Sequence, residues 1–260
     1  MTKEKIAFIK EEFIAKNIGS TVKFNKLIEE YKTIKPFKIN ENINETNPDI
    51  DFTNDLLFIV RSASTYDLTE TFKSMKIDLN DPNVEKDLSD GNIGTPGRIA
   101  KMWTAPSISD NSELLSGRWT KKPRIASFPN TSEKKFPITK RIDLVAVCSH
   151  HAAPFSSKFR SDSYAVVSYI PDTRVLGISK LQKIAKWISA RGWLQEDLTK
   201  VVYDEIAQVA ETESVFVKFY NIVHTCESLR GAQSHDGCFT TEYYGGDFND
   251  KSLRDTVLAQ

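Results

Sequence analysis

Residues that can bind a transition metal are confined to one region of the chain. All three cysteines and all four histidines lie between residues 148 and 238. Two short motifs stand out there, Cys148-Ser149-His150-His151 and, some seventy residues later, His224-Thr225-Cys226. Two thiolates and one imidazole suit Zn²⁺ and leave a fourth tetrahedral position for water, as in catalytic zinc sites. The spacing therefore predicts a zinc site made by Cys148, His151 and Cys226, in which the pKa of bound water falls to about 7.

The same residue types have other uses. Buried cysteines are common in protein cores, and histidines often only complete hydrogen bonds there. Cys238 is either a fourth ligand of a structural site or a thiol outside the site, and we favour the second interpretation. His150 and His224 flank the expected ligands and could move protons, because imidazole titrates near neutral pH. The alternative for both is packing, or a hydrogen bond that orients a ligand.

Strands and helices of the C-terminal half are expected to position these motifs. Residues 142–147 form an apolar run typical of a buried strand, and residues 163–170, 215–223 and 239–244 are further strand candidates. Between them, residues 179–191 and 196–211 have the periodicity of helices. The order strand, strand, helix, helix, strand, strand predicts an α+β fold with an antiparallel four-stranded sheet and its helices on one face. Cys148 and His224 then stand at the ends of two strands.

The N-terminal half is expected to be helical with long loops. Helices are predicted near residues 6–14 and 22–31, at 54–64 and 68–75, and from Thr95, where Pro96 occupies the first turn. Residues 36–54 and 77–94 are polar and loop-like, and residues 105–140 have no sustained periodicity. We divide the chain into an N-terminal helical extension and linker (1–53), a helical segment with loops (54–141) and a catalytic core (142–250).

Composition excludes several classes of protein. The 35 Lys and Arg residues balance the 35 Asp and Glu residues, so the formal net charge is zero. This balance argues against a general nucleic-acid or membrane-surface binder. Three cysteines are too few for a disulfide scaffold. No apolar run is long enough to span a bilayer, and the lysine-rich start lacks the apolar centre of a secretory signal. A cytoplasmic location is the resulting expectation.

Five motifs in order carry a resemblance to a known family, over about residues 55–248. The chain closely resembles the GTP cyclohydrolase I family at Thr95-Pro96-Gly97-Arg98-Ile99-Ala100-Lys101-Met102-Trp103, Cys148-x-His150-His151, Gly177-Ile178-Ser179-Lys180-Leu181, Leu194-Gln195-Glu196-Asp197-Leu198-Thr199-Lys200 and His224-Thr225-Cys226-x-x-Leu229-Arg230-Gly231, where x is a position that does not carry the resemblance. The resemblance implies a tunnelling fold, in which units of two hairpins and two helices assemble into a ring. It also implies a homodecamer with GTP sites at subunit boundaries, and conversion of GTP to 7,8-dihydroneopterin triphosphate and formate.

The resemblance also implies roles for individual residues. Cys148, His151 and Cys226 would hold zinc, His224 would be the general acid near N7 of guanine, and His150 would assist proton transfer. Glu196, aided by Gln195, would bind the N1 and 2-amino edge of guanine. The triphosphate would contact Ser179, Lys180, Lys183, Arg230 and Arg98, the last from a neighbouring subunit. Without the resemblance, Glu196 is an ordinary acid at a helix N-terminus, and Ser179-Lys180 is a cap followed by a solvated lysine.

Several positions depart from the family pattern. Ser149 replaces the usual glutamate, Glu227-Ser228 replaces a Met-rich stretch, Lys183 replaces arginine, and residues 232–239 lack the usual basic character. These departures leave alternatives to the standard reaction. One is a relative that uses GTP or dGTP in a deazapurine or modified-base pathway, or stops at the ring-opened formamidopyrimidine. Another is a non-catalytic purine-binding assembly module.

Overall fold

A computed structural model describes residues 1–35, 53–85, 94–104, 114–115, 117, 122–131, 135–229, 233–234 and 236–259. The described residues fall into two compact units, one up to residue 117 and one from residue 122 onward. None of the helices in these parts of the chain is both long enough and apolar enough to span a membrane.

The described part of the first unit contains four α-helices: α1 (Lys3–Ala15), α2 (Thr21–Thr33), α3 (Asn54–Ser74) and α4 (Thr95–Thr104). Hydroxyl groups cap three of them, because Thr2, Ser20 and Thr53 each accept a hydrogen bond from the backbone N–H three residues on. Apolar side chains of α1, α2 and α3 form the core of this unit, with Ile9, Phe13, Phe24, Leu27, Ile28, Leu56, Ile59 and Ala63 buried.

Helix α3 runs without interruption where the sequence predicted two helices, 54–64 and 68–75. The residues between them include neither glycine nor proline, so nothing forces a break. The Thr65 and Thr69 hydroxyls instead donate to the backbone carbonyls of Arg61 and Thr65, one turn earlier. Polar side chains whose hydrogen bonds are satisfied within the helix therefore do not end it here.

The second unit carries the sheet. Its strands are β2 (Ile138–Ile142), β3 (Val145–Cys148), β4 (Ala153–Ser156), β5 (Tyr164–Tyr169), β7 (Val215–His224) and β8 (Phe239–Tyr244). All pairs are antiparallel, in the order β2-β5-β7-β4-β3, and β8 pairs with β7. Helices α5 (Lys180–Ser189) and α6 (Gln195–Ala210) bury their apolar faces in the same core cluster as the inward side chains of the sheet. The α+β class and the antiparallel sheet are confirmed. In the described residues the sheet has six strands where four were predicted, because β4 was not predicted and the first predicted strand is divided.

The predicted strand 142–147 is divided into β2 and β3. At the division, the backbone of Asp143 exchanges two hydrogen bonds with the Gln182 side-chain amide. The N–H and C=O of Leu144 bond the hydroxyls of Ser157 and Ser156. Because side chains occupy these backbone groups, strand pairing stops there, and the chain pairs with β5 before the division and with β4 after it.

Smaller elements were not predicted. β1 (Ser127–Pro129) and β6 (Arg174–Leu176) form a two-stranded sheet of their own. Helix α7 (Thr225–Leu229) follows β7 directly, and a 3₁₀ turn (Gly246–Asn249) leads into α8 (Lys251–Leu258). Phe248 and Val257 from these last elements pack against Val166, Ile170 and Phe216 of the sheet.

Candidate active site

The two predicted metal-binding motifs meet because one short strand lies between them. Cys148 ends β3, and its strand pairs with β4. On its other side β4 pairs with β7, where Phe155 lies opposite His224. Cys226 follows in the first turn of α7, which the Thr225 hydroxyl ties to the carbonyl of Pro154 in β4 at 2.7 Å. The expected convergence of the strand ends therefore occurs.

An irregularity in β7 decides which way His224 faces. The register with β8 shifts between Phe219 and Ile222, and Asn221 there has a left-handed φ of 51°. Phe219 and Ile222 both belong to the core cluster, although regular alternation would put residues three apart on opposite faces. Beyond the bulge, His224 is in phase with Ile222 and so shares the core-facing side of the strand. The bulge thus turns the imidazole toward α6.

The start of α6 lies against the outer edge of β3. Trp193 donates its backbone N–H to the carbonyl of Val147 at 2.9 Å and accepts from the N–H of Ser149 at 3.2 Å. Its buried indole N–H donates to the carbonyl of Ile188 at 2.6 Å, which fixes the connection between α5 and α6. These bonds place Gln195 and Glu196, in the first turn of α6, beside the end of β3.

Sulfur and nitrogen donors converge at this point. One possible ligand atom from each of Cys148, His224 and Cys226 lies within 4.8 Å of the other two. Burial raises the pKa of the Cys226 thiol, and the neighbouring Cys148 adds to that effect. A bound cation reverses this preference by stabilising thiolates, so the donor set suits a soft divalent metal such as Zn²⁺.

The ring of His224 is held on three sides. It stacks on Phe155 with centroids 4.4 Å apart and planes 7° apart, and the ring of Phe239 lies edge-on at 5.2 Å. Its Nε2 lies 2.7 Å from Oε1 of Gln195. Burial lowers the pKa of His224, while the negative charge of Glu196 opposes that shift. The imidazole is therefore fixed in place and biased toward its neutral form.

A cavity of about 500 Å³ opens at these groups. Predicted zinc ligands, predicted acid–base residues and the predicted guanine-binding pair all line it: Cys148, His150, His151, Gln195, Glu196, His224 and Cys226. His151 is exposed and lies outside the three-residue donor group, which includes His224 instead. Cys238 also lies outside that group, with its Sγ 3.6 Å from Oδ1 of Asn221.

Those predicted triphosphate contacts that the structure describes are not among the residues lining this cavity. Ser179 precedes α5, and Lys180 and Lys183 lie in its first turn. Arg98 belongs to the first unit, where its Nη2 donates to Oγ1 of Thr95 at 2.9 Å. Arg230 lies outside the described residues, so the structure does not place it.

Three further residues among those described line the cavity. Leu194, Glu227 and Phe239 line it. Glu227 was noted as a departure from the family pattern, but no function was predicted for Phe239, which is 45% exposed although aromatic. It begins the predicted strand 239–244, and strand periodicity alone gives no sign that a cavity lies beside it.

Comparison with known proteins agrees with these features. The family model described as GTP cyclohydrolase I matches residues 80–260. The chain is 34% identical over 161 residues to the GTP cyclohydrolase 1 of Blochmanniella pennsylvanica, covering 61% of this chain and 66% of that protein. It is 31% identical over 183 residues to that of Edwardsiella ictaluri (70% and 73%) and 29% identical over 200 residues to that of Flavobacterium johnsoniae (74% and 83%).

Proposed function

The chain belongs to the GTP cyclohydrolase I family, and on that premise we propose that it is a zinc-dependent enzyme converting GTP and water to 7,8-dihydroneopterin triphosphate and formate. One observation supports this most directly. Two cysteines, a fixed imidazole and a carboxylate at a helix N-terminus line the same cavity of about 500 Å³. That combination supplies a metal site, a proton donor and a hydrogen-bond acceptor for the edge of a purine.

In this proposal Cys148, Cys226 and His151 hold the zinc ion. The closeness of the two thiols supports the first two assignments, and the position of His151 in the cavity wall is compatible with the third. Bound zinc would supply an activated water at neutral pH. The chain's own residues must then orient the purine and handle its protons.

Guanine orientation is assigned to Glu196. Its carboxylate lines the cavity and is exposed, so it is available to a ligand. A carboxylate accepts two hydrogen bonds side by side, which matches the N1–H and 2-amino donors of guanine. A base without that pair of donors would leave the carboxylate without its partners, so the site would select guanine over adenine.

Proton transfer is assigned to His224 and His150. Opening the imidazole ring of guanine after hydration at C8 requires a proton at N7. His224 is held between Phe155 and Phe239 and can present one nitrogen at a constant position. His150 is exposed at the cavity and would serve the later proton transfers that accompany formate release.

The triphosphate is assigned to the start of α5 and to two arginines. Ser179 and Lys180 lie at a helix N-terminus, where free N–H groups and the dipole favour phosphate. Lys183 keeps the charge of the usual arginine but not its two-pronged geometry. Arg230 and Arg98 complete the set, with Arg98 supplied by a neighbouring subunit of a homodecamer. The cytoplasmic location remains part of this proposal.

Incubation of the zinc-loaded protein with GTP tests the reaction. We expect formate and, after oxidation, the fluorescence of a pterin. Formate without pterin would identify an enzyme that stops at the ring-opened formamidopyrimidine. Neither product would favour a purine-binding module. Parallel incubation with dGTP tests the modified-base alternative, and light scattering on the same sample tests the decamer.

A further inference from the structure

We propose that Gln195 is a positioning residue which commits Nε2 of His224 to donating a hydrogen bond and thereby leaves Nδ1 as the nitrogen available for chemistry. The catalytic importance of His224 rests on the proposed function. The hydrogen-bond assignment does not, since it follows from the contacts of Gln195 alone. It also differs from the role that the family resemblance implies, in which Gln195 helps to bind guanine.

The orientation of the Gln195 amide follows from its neighbours. The side chain is buried, with 2% of the residue exposed. Nε2 lies 2.9 Å from Oγ1 of Thr241 and 3.4 Å from the backbone carbonyl oxygen of Phe239. A carbonyl oxygen only accepts hydrogen bonds, so the amide nitrogen must be on that side. The amide oxygen, Oε1, therefore faces His224.

Two threonine hydroxyls support this orientation. The Thr199 hydroxyl donates its one hydrogen to the backbone carbonyl of Gln195 at 2.8 Å. It lies 2.7 Å from the Thr241 hydroxyl, which must then be the donor to Thr199. Oγ1 of Thr241 has no second hydrogen and accepts from Gln195. The direction of donation is thus fixed for every hydrogen bond that links His224, Gln195, Thr241 and Thr199.

The orientation of the Gln195 amide determines which nitrogen of the His224 imidazole carries the hydrogen. Oε1 of Gln195 can only accept, so Nε2 of His224 carries the hydrogen across the 2.7 Å contact. In the neutral ring the lone pair is then on Nδ1, so Nδ1 must first take up a proton before His224 can donate one to N7 of guanine. Stacking on Phe155 and the edge contact with Phe239 oppose a ring flip that would exchange the two nitrogens. Both amide hydrogens of Gln195 are already used, which leaves it little capacity to bind a purine.

Thr241 allows a test that leaves the cavity wall untouched, because it is not among the cavity-lining residues. Thr241→Val keeps the shape and removes the hydroxyl, whereas Thr241→Ser keeps the hydroxyl. We expect Thr241→Val to lower kcat about 10-fold, and Gln195→Leu about 10- to 100-fold, with KM for GTP nearly unchanged. Thr241→Ser should keep wild-type kcat. Thr256→Val on α8, where an exposed hydroxyl bonds Ser252, is the matched control and should change neither constant.

A purely substrate-binding Gln195 predicts the opposite pattern, in which Gln195→Leu raises KM and Thr241→Val is silent. That result would overturn the proposal. Nitrogen-15 magic-angle-spinning NMR of histidine-labelled, zinc-loaded full-length protein gives a second readout. We expect His224 protonated at Nε2 in the wild type and Thr241→Ser, and a mixture of tautomers in Gln195→Leu. Wild-type protein with the hydrogen on Nδ1 would also overturn the proposal. Because the spectrum requires no turnover, failure of the proposed reaction would be seen separately.

Discussion

The carboxylate of Glu227 occupies the space into which a side chain at Gly237 would project. A Cβ atom at Gly237 would stand 2.5 Å from Oε2 of Glu227 and 2.6 Å from its Cδ, well inside contact distance. Glu227 lines the cavity, and its Oε2 is shielded from solvent with no hydrogen-bond partner in the described part of the chain. The glycine therefore makes room for a carboxylate of which one oxygen, Oε2, has no donor among the described residues.

We expect Gly237→Ala to lower turnover by displacing that carboxylate. The added methyl group overlaps both carboxylate oxygens, so Glu227 must move to another rotamer. We expect turnover of GTP to fall about 10-fold, which corresponds to a loss of about 1.4 kcal/mol of transition-state stabilisation. Equal activity of Gly237→Ala and wild type would contradict this view of Glu227.

Glu227→Gln tests whether the charge itself is needed. A shielded carboxylate oxygen without a donor costs stability, on the order of 1–3 kcal/mol. We expect the amide to raise the midpoint of thermal unfolding while lowering turnover, the trade-off typical of strained functional sites. If Glu227 compensates for Ser149, which stands where the family usually has glutamate, Ser149→Glu should restore activity to the Glu227→Gln variant. Full activity of Glu227→Gln alone would count against compensation.

Zinc content distinguishes the two histidines that could complete the metal site. The resemblance assigns His151, whereas a nitrogen of His224 lies within 4.8 Å of both sulfurs. We expect His151→Ala to lose zinc on dialysis against a weak chelator. His224→Ala should keep zinc and lose about 10²- to 10⁴-fold in turnover, the usual contribution of a general acid. Cys238→Ser is the control and should keep both zinc and activity. Loss of zinc from His224→Ala but not from His151→Ala would assign His224 as the ligand.

The ion pair between the partly exposed Lys122 and the buried Glu205 predicts an effect on stability alone. Nζ of Lys122 lies 2.5 Å from Oε1 of Glu205, whose side chain is almost fully buried in α6. Removing the lysine leaves a buried carboxylate without its charge partner, which costs about 3–5 kcal/mol. Lys122→Met should therefore lower the free energy of unfolding in urea by about that amount while leaving KM for GTP unchanged. Lys135→Met, at an exposed pair with Asp172, should change the free energy of unfolding far less.

Periodicity predicted the main elements of the fold but not their interruptions. Helices α5 and α6 and strand β7 lie close to where alternation and helical spacing indicated. The division between β2 and β3 was missed because it depends on the Gln182, Ser156 and Ser157 side chains. Gln182 lies on α5, and the two serines lie at the end of β4 and just after it. Nothing within residues 142–147 indicates that these side chains will bind the backbone there.

Residue type and spacing predicted which side chains gather at the site, but not how they are connected. Cys148 and Cys226 could be paired because each follows a strand of the same sheet. The bulge at Asn221, which turns His224 toward Gln195, arises from pairing with β8 and has no signature in a single strand. The hydrogen-bond order through Thr199 and Thr241 likewise appears only when α6 and β8 lie side by side.

Phe239 gives the last prediction, since its contact with His224 leaves nearly half of the residue exposed beside the cavity. Its ring is 45% exposed, lines the cavity and meets the edge of His224 at 5.2 Å, so a purine face is a suitable partner. Aromatic contacts of this kind are worth about 0.5–1.5 kcal/mol, so Phe239→Leu should raise KM for GTP about 2- to 10-fold. Turnover at saturating GTP should change less. Phe159, equally exposed at 46% but away from the cavity, provides the matched control Phe159→Leu, which should leave KM unchanged. Steady-state kinetics on both variants would decide the matter, and equal KM values would remove Phe239 from the substrate site.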